Sequence, residues 1–225
     1  MPDSTMRCYK FESRGTLKSL IAFITLSSIF YVGRSGKGLE LGMSTWSMGK
    51  NPLEALERIA EVGFRRVEIW SDPPGVLSGH VDELFNALGD HGLKACSLHA
   101  PFTGLDVSSP DDNLRKHSVQ QILGVMETAE KLGCGHLIVH PGSGKYDKRD
   151  HYDMAKNLLA KSTEELVKGA EERGLTLALE NMLASRDGLR VGTRAAELRE
   201  VIESLSEGNL GICLDTGHAH YNGLE

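Results

Sequence analysis

The stretch LGICLDTGHAH, residues 210–220, decides the fold and supplies the first candidate functional groups. Four of the five residues before Asp215 are apolar, which is typical of a buried strand, and Gly217 lets the chain turn sharply after it. Asp215 and His218 would therefore leave the carboxyl end of one strand together. Divalent metals accept a carboxylate oxygen beside an imidazole nitrogen, so the stretch predicts part of a metal site.

A strand followed by a helix recurs upstream of this stretch. From residue 39 onward, short apolar runs alternate with segments in which apolar residues recur every three or four positions. Six predicted strands separated by helices indicate a parallel sheet that is covered on both faces. An open doubly wound sheet and an eight-stranded barrel both suit this order. No Gly-x-Gly-x-x-Gly fingerprint follows the first strand, which weakens the nucleotide-binding version of the open sheet.

The composition is that of one globular domain, with 40% hydrophobic and 25% charged residues among 225. The net charge of -6 reduces the case for nucleic acid as a partner without removing it. The four cysteines form no Cys-x-x-Cys pair, which favours buried thiols in a reducing compartment over disulfides or zinc ligands. We therefore expect a cytoplasmic location.

Residues 1–38 precede the repeating pattern and are interpreted as an N-terminal extension. Four basic residues lead into an apolar segment at residues 20–32, as in a secretion signal, but no small-residue cleavage site follows it. Three interpretations stay open: a signal or weak anchor, an amphipathic piece packed on the domain, or a non-native start upstream of Met43. The apolar segment is too short to cross a bilayer comfortably, so no stable membrane span is expected.

Ionisable residues lie at or near the carboxyl ends of the second to sixth predicted strands. They are Glu68, His99, His140, Glu180 and Asp215. This rim is where a β/α barrel carries its active site. A single ionisable residue at a strand end usually has a hydrogen-bond partner of its own. Five of them at one rim would repel one another or lose hydration without compensation, unless they bound a common cation. The set predicts a divalent-metal site.

Four motifs on successive strands resemble the xylose-isomerase-like TIM-barrel superfamily, which contains sugar phosphate isomerases/epimerases and the endonuclease IV group. They are HAPF at residues 99–102, HPGS at 140–143, LEN at 179–181 and LDTGHAH at 214–220. The resemblance covers residues 39–225 and implies an α/β fold of the (β/α)8 TIM-barrel type.

Resemblance to the epimerase branch implies that Glu180 and Asp215 bind one divalent metal, Mn²⁺, Co²⁺, Mg²⁺ or Zn²⁺, with a His and a Glu from strands seven and eight. Glu180 would also transfer a proton beside the carbonyl of a sugar or sugar phosphate through an enediolate, and His218 would contact the substrate. The further candidates for substrate binding are His99, Trp70, Phe102 and Asn181.

Resemblance to the endonuclease IV branch implies three zinc ions and cleavage of abasic DNA. His99 and His140 would share the first zinc with Glu180, Asp215 would hold the second and His218 the third. The two histidines favour this alternative, whereas the acidic charge and a loop at residues 71–75 without arginine weigh against it. The basic loop at residues 145–149 is interpreted as solvated surface rather than as a phosphate clamp.

The length predicts a barrel that is truncated after its sixth strand. An eight-stranded barrel takes about 250 residues, whereas residues 39–225 provide 187. The expected ligands from strands seven and eight would be missing, and the first and sixth predicted strands would have unpaired edges. Activity of this chain is therefore doubtful. An inactive barrel fragment is a third interpretation, and a homo-oligomer could complete the barrel.

Overall fold

The computed structural model describes residues 22–26, 29–32, 40–49, 51–205 and 208–223, with side chains from residue 41 onward. Its strands form a closed barrel in sequence order. They are β1 (Ala22–Leu26), β2 (Ile29–Val32), β3 (Glu40–Ser44), β4 (Arg66–Trp70), β5 (Lys94–His99), β6 (His136–Val139), β7 (Thr176–Glu180) and β8 (Leu210–Asp215).

Strands β3 to β8 correspond to the six predicted strands, and each pairs in parallel with the next. The helices between and after them are α1 (Pro52–Glu61), α2 (Val81–Asp90), α3 (Asp112–Lys131), α4 (Arg149–Glu171), α5 (Ala195–Ser204) and α6 (Thr216–Tyr221), and a 3₁₀ helix (Thr45–Met48) follows β3. The prediction of an α/β fold of the TIM-barrel type is confirmed.

A hairpin of β1 and β2 closes the barrel between the first and last parallel strands. β1 is parallel to β8, with Ala22 opposite Ile212 and Thr25 opposite Asp215. β2 is antiparallel to β3, with Ile29 opposite Met43. The expectation of unpaired edges is therefore wrong, because residues 22–26 and 29–32 supply the ladder partners.

The interpretations of the N-terminal extension as a signal, an amphipathic piece or a non-native start stay predictions. Residues 1–21 and the glycine-rich segment at 33–38 lie outside the described part of the chain, and the domain boundary at residue 38 is not tested by the strand pairing. Within the described residues, every helix is too short or too polar to cross a bilayer.

The buried side chains form two groups, as the alternation of side chains along a strand requires. A large apolar layer lies between strands and helices and includes Leu137, Leu177 and Leu56. A separate small group contains Cys96, Ile138, Ala178 and Cys213. Because Ile138 and Ala178 alternate with residues of the outer layer, this second group faces the inside of the barrel.

Candidate metal centre

Side-chain alternation positions the candidate ligands inside the rim of the barrel. His140, Glu180 and Asp215 each lie two residues beyond a member of the inner group, namely Ile138, Ala178 and Cys213. Residues two apart in a strand point to the same face, so the three side chains emerge above that inner group. The apolar strands thus direct these polar groups to the carboxyl end of the barrel.

Glu180 lies at the centre of the site. Its Oε2 is 3.1 Å from His99 Nε2 and 3.3 Å from His140 Nε2. Its Oε1 is 3.6 Å from His218 Nδ1, and that nitrogen is 3.9 Å from Asp215 Oδ2. These residues make two groups of candidate metal ligands that share Glu180: His99, His140 and Glu180, and Glu180, Asp215 and His218. We call the five residues the metal centre.

Backbone carbonyls determine which nitrogen of two imidazoles is free to bind a ligand. His99 Nδ1 is 3.0 Å from Ala100 O, and His218 Nδ1 is 2.7 Å from Asn181 O. A carbonyl oxygen only accepts, so each Nδ1 carries a proton. Nε2 is then the nitrogen that can bind a metal or a substrate, and in His99 it faces Glu180 Oε2. Such carbonyl contacts are typical of metal-binding histidines.

The electrostatics of the centre also suit a cation. Burial would raise the pKa of Glu180, but hydrogen bonds from His140 and His99 hold it well below its usual range. Burial lowers the pKa of His99, yet the hydrogen bond and the charge of Glu180 raise it overall. Burial lowers the pKa of His140. The buried carboxylate of Glu180 is therefore ionised, which is the state that binds a cation.

The geometry of the donor atoms fits a divalent transition metal. Zinc bonds to nitrogen and oxygen are about 2.0–2.2 Å long, so two ligand atoms of one ion lie roughly 3.0–3.5 Å apart. The separations of 3.1 and 3.3 Å between Glu180 Oε2 and the two imidazoles fall in this range. Transition metals such as Zn²⁺, Mn²⁺ and Co²⁺ accept imidazole together with carboxylate ligands, whereas Mg²⁺ prefers ligands that are all oxygen. The ligand set of this site therefore suits the transition metals better than Mg²⁺.

Aromatic side chains border the metal centre on the β4 and β5 side. Trp70 lies 4.2 Å from the His99 ring, centroid to centroid, and Phe102 stacks on His140 at 4.3 Å. Trp46, 56% exposed, lies 5.7 Å from Trp70. These three residues, the aromatic cluster, offer an apolar surface next to the candidate ligands. The structure thus places Trp70 and Phe102 beside the candidate ligands, and their contact with a substrate stays a prediction.

Asn181 connects β7 to the last strand. Its Nδ2 donates to Asp215 O at 2.9 Å, and its Oδ1 accepts from Asp215 N at 2.6 Å. Its own carbonyl accepts from His218 Nδ1. The side chain is buried and both of its polar groups bind the backbone of Asp215, so Asn181 positions Asp215 and His218. Direct contact of Asn181 with a substrate stays a prediction.

Two acidic residues differ from what the sequence alone suggests. Glu68 is buried in the middle of β4 below the rim, where Ser97 Oγ donates to it at 3.4 Å and burial raises its pKa. Asp72, which no motif marks, accepts from the backbone nitrogens of Phe102 and Thr103 at 2.8 and 2.7 Å. Asp72 therefore holds the loop that carries Phe102, and only the folded chain brings the two loops together.

Known sequences resemble this chain along most of its length. Residues 56–225 match the family model of the xylose isomerase-like TIM barrel. An uncharacterized protein of Methanocaldococcus jannaschii is 35% identical over 189 residues, which are 82% of this chain and 70% of that protein. A probable endonuclease 4 of Thermoplasma acidophilum is 27% identical over 156 residues, which are 69% of this chain and 50% of that protein.

Solved structures of epimerases share the fold. A D-tagatose 3-epimerase-like protein has a TM-score of 0.71 and 28% identity, over 79% of this chain and 65% of that one. A D-psicose 3-epimerase, solved in the presence of D-fructose, has a TM-score of 0.68 and 17% identity, over 80% of this chain and 64% of that one. The chain thus spans half of the endonuclease and just under two thirds of the epimerases. By the match over residues 56–225, the chain belongs to the xylose isomerase-like TIM-barrel family.

Proposed function

We propose that this chain is a divalent-metal-dependent isomerase or epimerase of sugars or sugar phosphates. The observation that supports it best is the position of the aromatic cluster beside the metal centre. Adjacent oxygens of a sugar would face Glu180, Asp215 and His218, and its carbon skeleton would contact Trp70 and Phe102. The similarity to a D-tagatose 3-epimerase-like protein agrees with this proposal. A cytoplasmic location is part of the same proposal.

Each residue of the centre has a separate task in such a reaction. A bound divalent cation would supply a Lewis acid that polarises a carbonyl oxygen. Glu180 Oε2 faces the two histidines, whereas Oε1 faces His218 and is the oxygen available to accept a proton from the carbon beside the carbonyl. His218, oriented by Asn181, presents Nε2 to a substrate oxygen. The aromatic cluster keeps water from one side of the reacting carbon.

Metal content is the first test of this proposal. Glu180→Gln and Asp215→Asn should each lower the affinity for Mn²⁺, Co²⁺ or Zn²⁺ by at least about tenfold, because each removes a charged ligand. His220→Gln is the control, since His220 is exposed and belongs to neither ligand group. Calorimetric titration measures the affinity and the number of ions. Equal metal affinity in the wild type and the three variants would contradict the assignment of Glu180 and Asp215 as metal ligands.

Proton exchange is the second test. The metal-loaded chain is incubated with D-fructose in D₂O, and deuterium at the carbons next to the carbonyl is followed by NMR. Glu180→Gln should slow the exchange by about 10²- to 10⁴-fold, the usual contribution of a general base. Exchange at the wild-type rate in Glu180→Gln would exclude the proposed role of Glu180.

An endonuclease-type phosphodiesterase is the second candidate, because the two ligand groups share Glu180. A shared carboxylate is an arrangement that binds two ions a few ångströms apart. This candidate predicts at least two Zn²⁺ per chain and nicking of a duplex that contains an abasic site. One ion per chain, or no nicking with Zn²⁺, Mn²⁺ and Mg²⁺ supplied, would remove it.

A further inference from the structure

A basic cleft lies beside the metal centre, between the start of α4 and the loop from β7 to α5. Its volume is about 530 Å³, within the usual range for small-molecule sites. Four basic and two acidic side chains line it: Arg149, Lys156, Arg190, Arg194, Glu197 and Glu200. The balance of charge in the cleft is thus positive, although the whole chain carries a net charge of -6.

Two of the four cations in the basic cleft are already paired. Lys156 Nζ lies 2.8 Å from Glu200 Oε2. Arg149 Nε lies 3.1 Å from Asp153 Oδ1, and its guanidinium lies over the ring of Tyr152. These contacts leave Arg190 and Arg194 as the cations that a ligand could use.

Arg190 is half-buried and under-satisfied. Its Nε is buried without a hydrogen-bond partner in the described part of the chain. Its terminal nitrogens reach only two carbonyl oxygens, Leu183 O at 3.5 Å and Gly142 O at 3.4 Å, which are long hydrogen bonds. Burial of a guanidinium without a carboxylate is costly, so an anion at this position would stabilise the folded chain.

Asp106 acts on Arg190 electrostatically without forming an ion pair with it among the described residues. Its carboxylate instead accepts from Ser108 N at 2.9 Å, Ser108 Oγ at 2.8 Å and Gly144 N at 2.8 Å. Arg194, exposed at the N-cap of α5, likewise has no ion pair within the described residues. Two guanidinium groups therefore line the cleft without an ion pair among the described residues.

Arg190 also links the basic cleft to the metal centre. It lines a second, small cavity together with Phe102 and His140. A substrate that reached past Phe102 from the metal centre would therefore approach the guanidinium of Arg190. Such a molecule would need an anionic group at the end remote from the reacting carbon.

We propose that the basic cleft binds the phosphate group of a phosphorylated sugar through Arg190 and Arg194. The sugar part of this assignment rests on the proposed function, whereas the phosphate site does not. Two uncommitted guanidinium groups match one phosphate dianion, to which arginine binds in a bidentate manner. A duplex would require several more free cations along the rim, which argues for a small phosphate monoester over a nucleic-acid backbone.

The test is a calorimetric titration of the full chain with inorganic phosphate in the presence of EDTA. Phosphate should bind with one site per chain, and Arg190→Ala and Arg194→Ala should each weaken binding by about tenfold, the effect of a lost charge-assisted hydrogen bond. Arg186→Ala is the matched control, because Arg186 is an exposed arginine of the same loop and does not line the cleft. Circular dichroism confirms that each variant is folded.

Two results would overturn the proposal. The first is that the wild type binds no phosphate, or that Arg194→Ala binds it as tightly as the wild type. Arg194 is exposed, so this variant should fold even if Arg190→Ala does not. The other is a DNA duplex that displaces phosphate and loses affinity in the same variants, which would assign the cleft to a phosphodiester backbone. Because the titration contains no metal, its outcome is independent of metal binding and proton exchange at the metal centre.

Discussion

At the scale of single residues, Glu180 organises the metal centre because its two oxygens have different neighbours. Oε2 faces His99 and His140, and Oε1 faces His218. In the proposed reaction one oxygen would hold a cation while the other would stay available to the substrate. The sequence motif LEN locates this carboxylate on a strand end, but the different neighbours of its two oxygens follow only from the folded geometry.

Gly192 is a residue at which the backbone tolerates no side chain. Its φ is +80°, and a Cβ there would lie 2.2 Å from Pro141 Cγ, next to His140. Gly192→Ala should lower the free energy of unfolding by roughly 2–4 kcal/mol, from left-handed strain and from the steric clash. Urea denaturation measures the loss. Gly174→Ala is the control, because Gly174 has φ +65° with nothing within 4 Å and should lose only the strain; equal losses would contradict the clash.

Cys134 makes stability depend on alkaline pH. Burial, aided by the charges of Cys96 and Glu68, raises the pKa of Cys134 from 9.0 to about 12. Below pH 9 both the folded and the unfolded chain keep the thiol proton, so this contribution to stability is complete. Between the two pKa values only the unfolded chain ionises, and stability falls by up to about 1.4 kcal/mol per pH unit.

Urea denaturation at pH 8 and pH 10 checks this pH dependence. Between these values the wild type should lose about 1.4 kcal/mol more than Cys134→Ala does. The variant provides the control, because every other titrating group, including Cys213, is common to both proteins. Parallel losses in the two proteins would show that the thiol of Cys134 ionises equally in both states.

At the scale of elements, α3 begins where the sequence provides a cap. Asp111 accepts from the backbone nitrogens of Asn113 at 2.9 Å and Leu114 at 3.3 Å. Asp111→Ala should lower the free energy of unfolding by about 1 kcal/mol, measured by urea denaturation. Lys148→Ala is the matched control, because Lys148 is the N-cap of α4 but makes no side-chain cap hydrogen bond. If both variants lost a similar free energy of unfolding, the capping hydrogen bonds of Asp111 would not stabilise α3.

The elements also show where local sequence is a good guide and where it is not. The strand-helix order follows from the apolar periodicity, because each apolar run from residue 39 onward forms a strand and each segment of three- and four-residue spacing forms a helix. The β1–β2 hairpin was missed because its apolar residues equally suit a membrane-directed segment.

At the scale of the whole molecule, closure of the barrel depends on strand β1. This strand pairs with both β2 and β8, so a proline within it removes a ladder hydrogen bond from a central strand. Ile24→Pro should lower the free energy of unfolding by about 3 kcal/mol and promote aggregation through the exposed edges. Ile24→Val is the control. Urea denaturation and light scattering measure the two effects, and wild-type behaviour of Ile24→Pro would show that β1 does not close the barrel.

The sequence by itself determined an α/β fold with six parallel strands and the rim on which His99, His140, Glu180, Asp215 and His218 meet, because strand periodicity and the common direction of parallel strands bring these residues together. The barrel, rather than an open sheet, was indicated by the resemblance of four motifs to the xylose-isomerase-like superfamily. The tertiary structure alone decided which atoms face one another, that Asn181 holds Asp215, and that Arg190 lines both the small cavity beside His140 and the basic cleft. It also decided which strands close the barrel. These features depend on contacts between residues distant in the chain, on which periodicity carries no information.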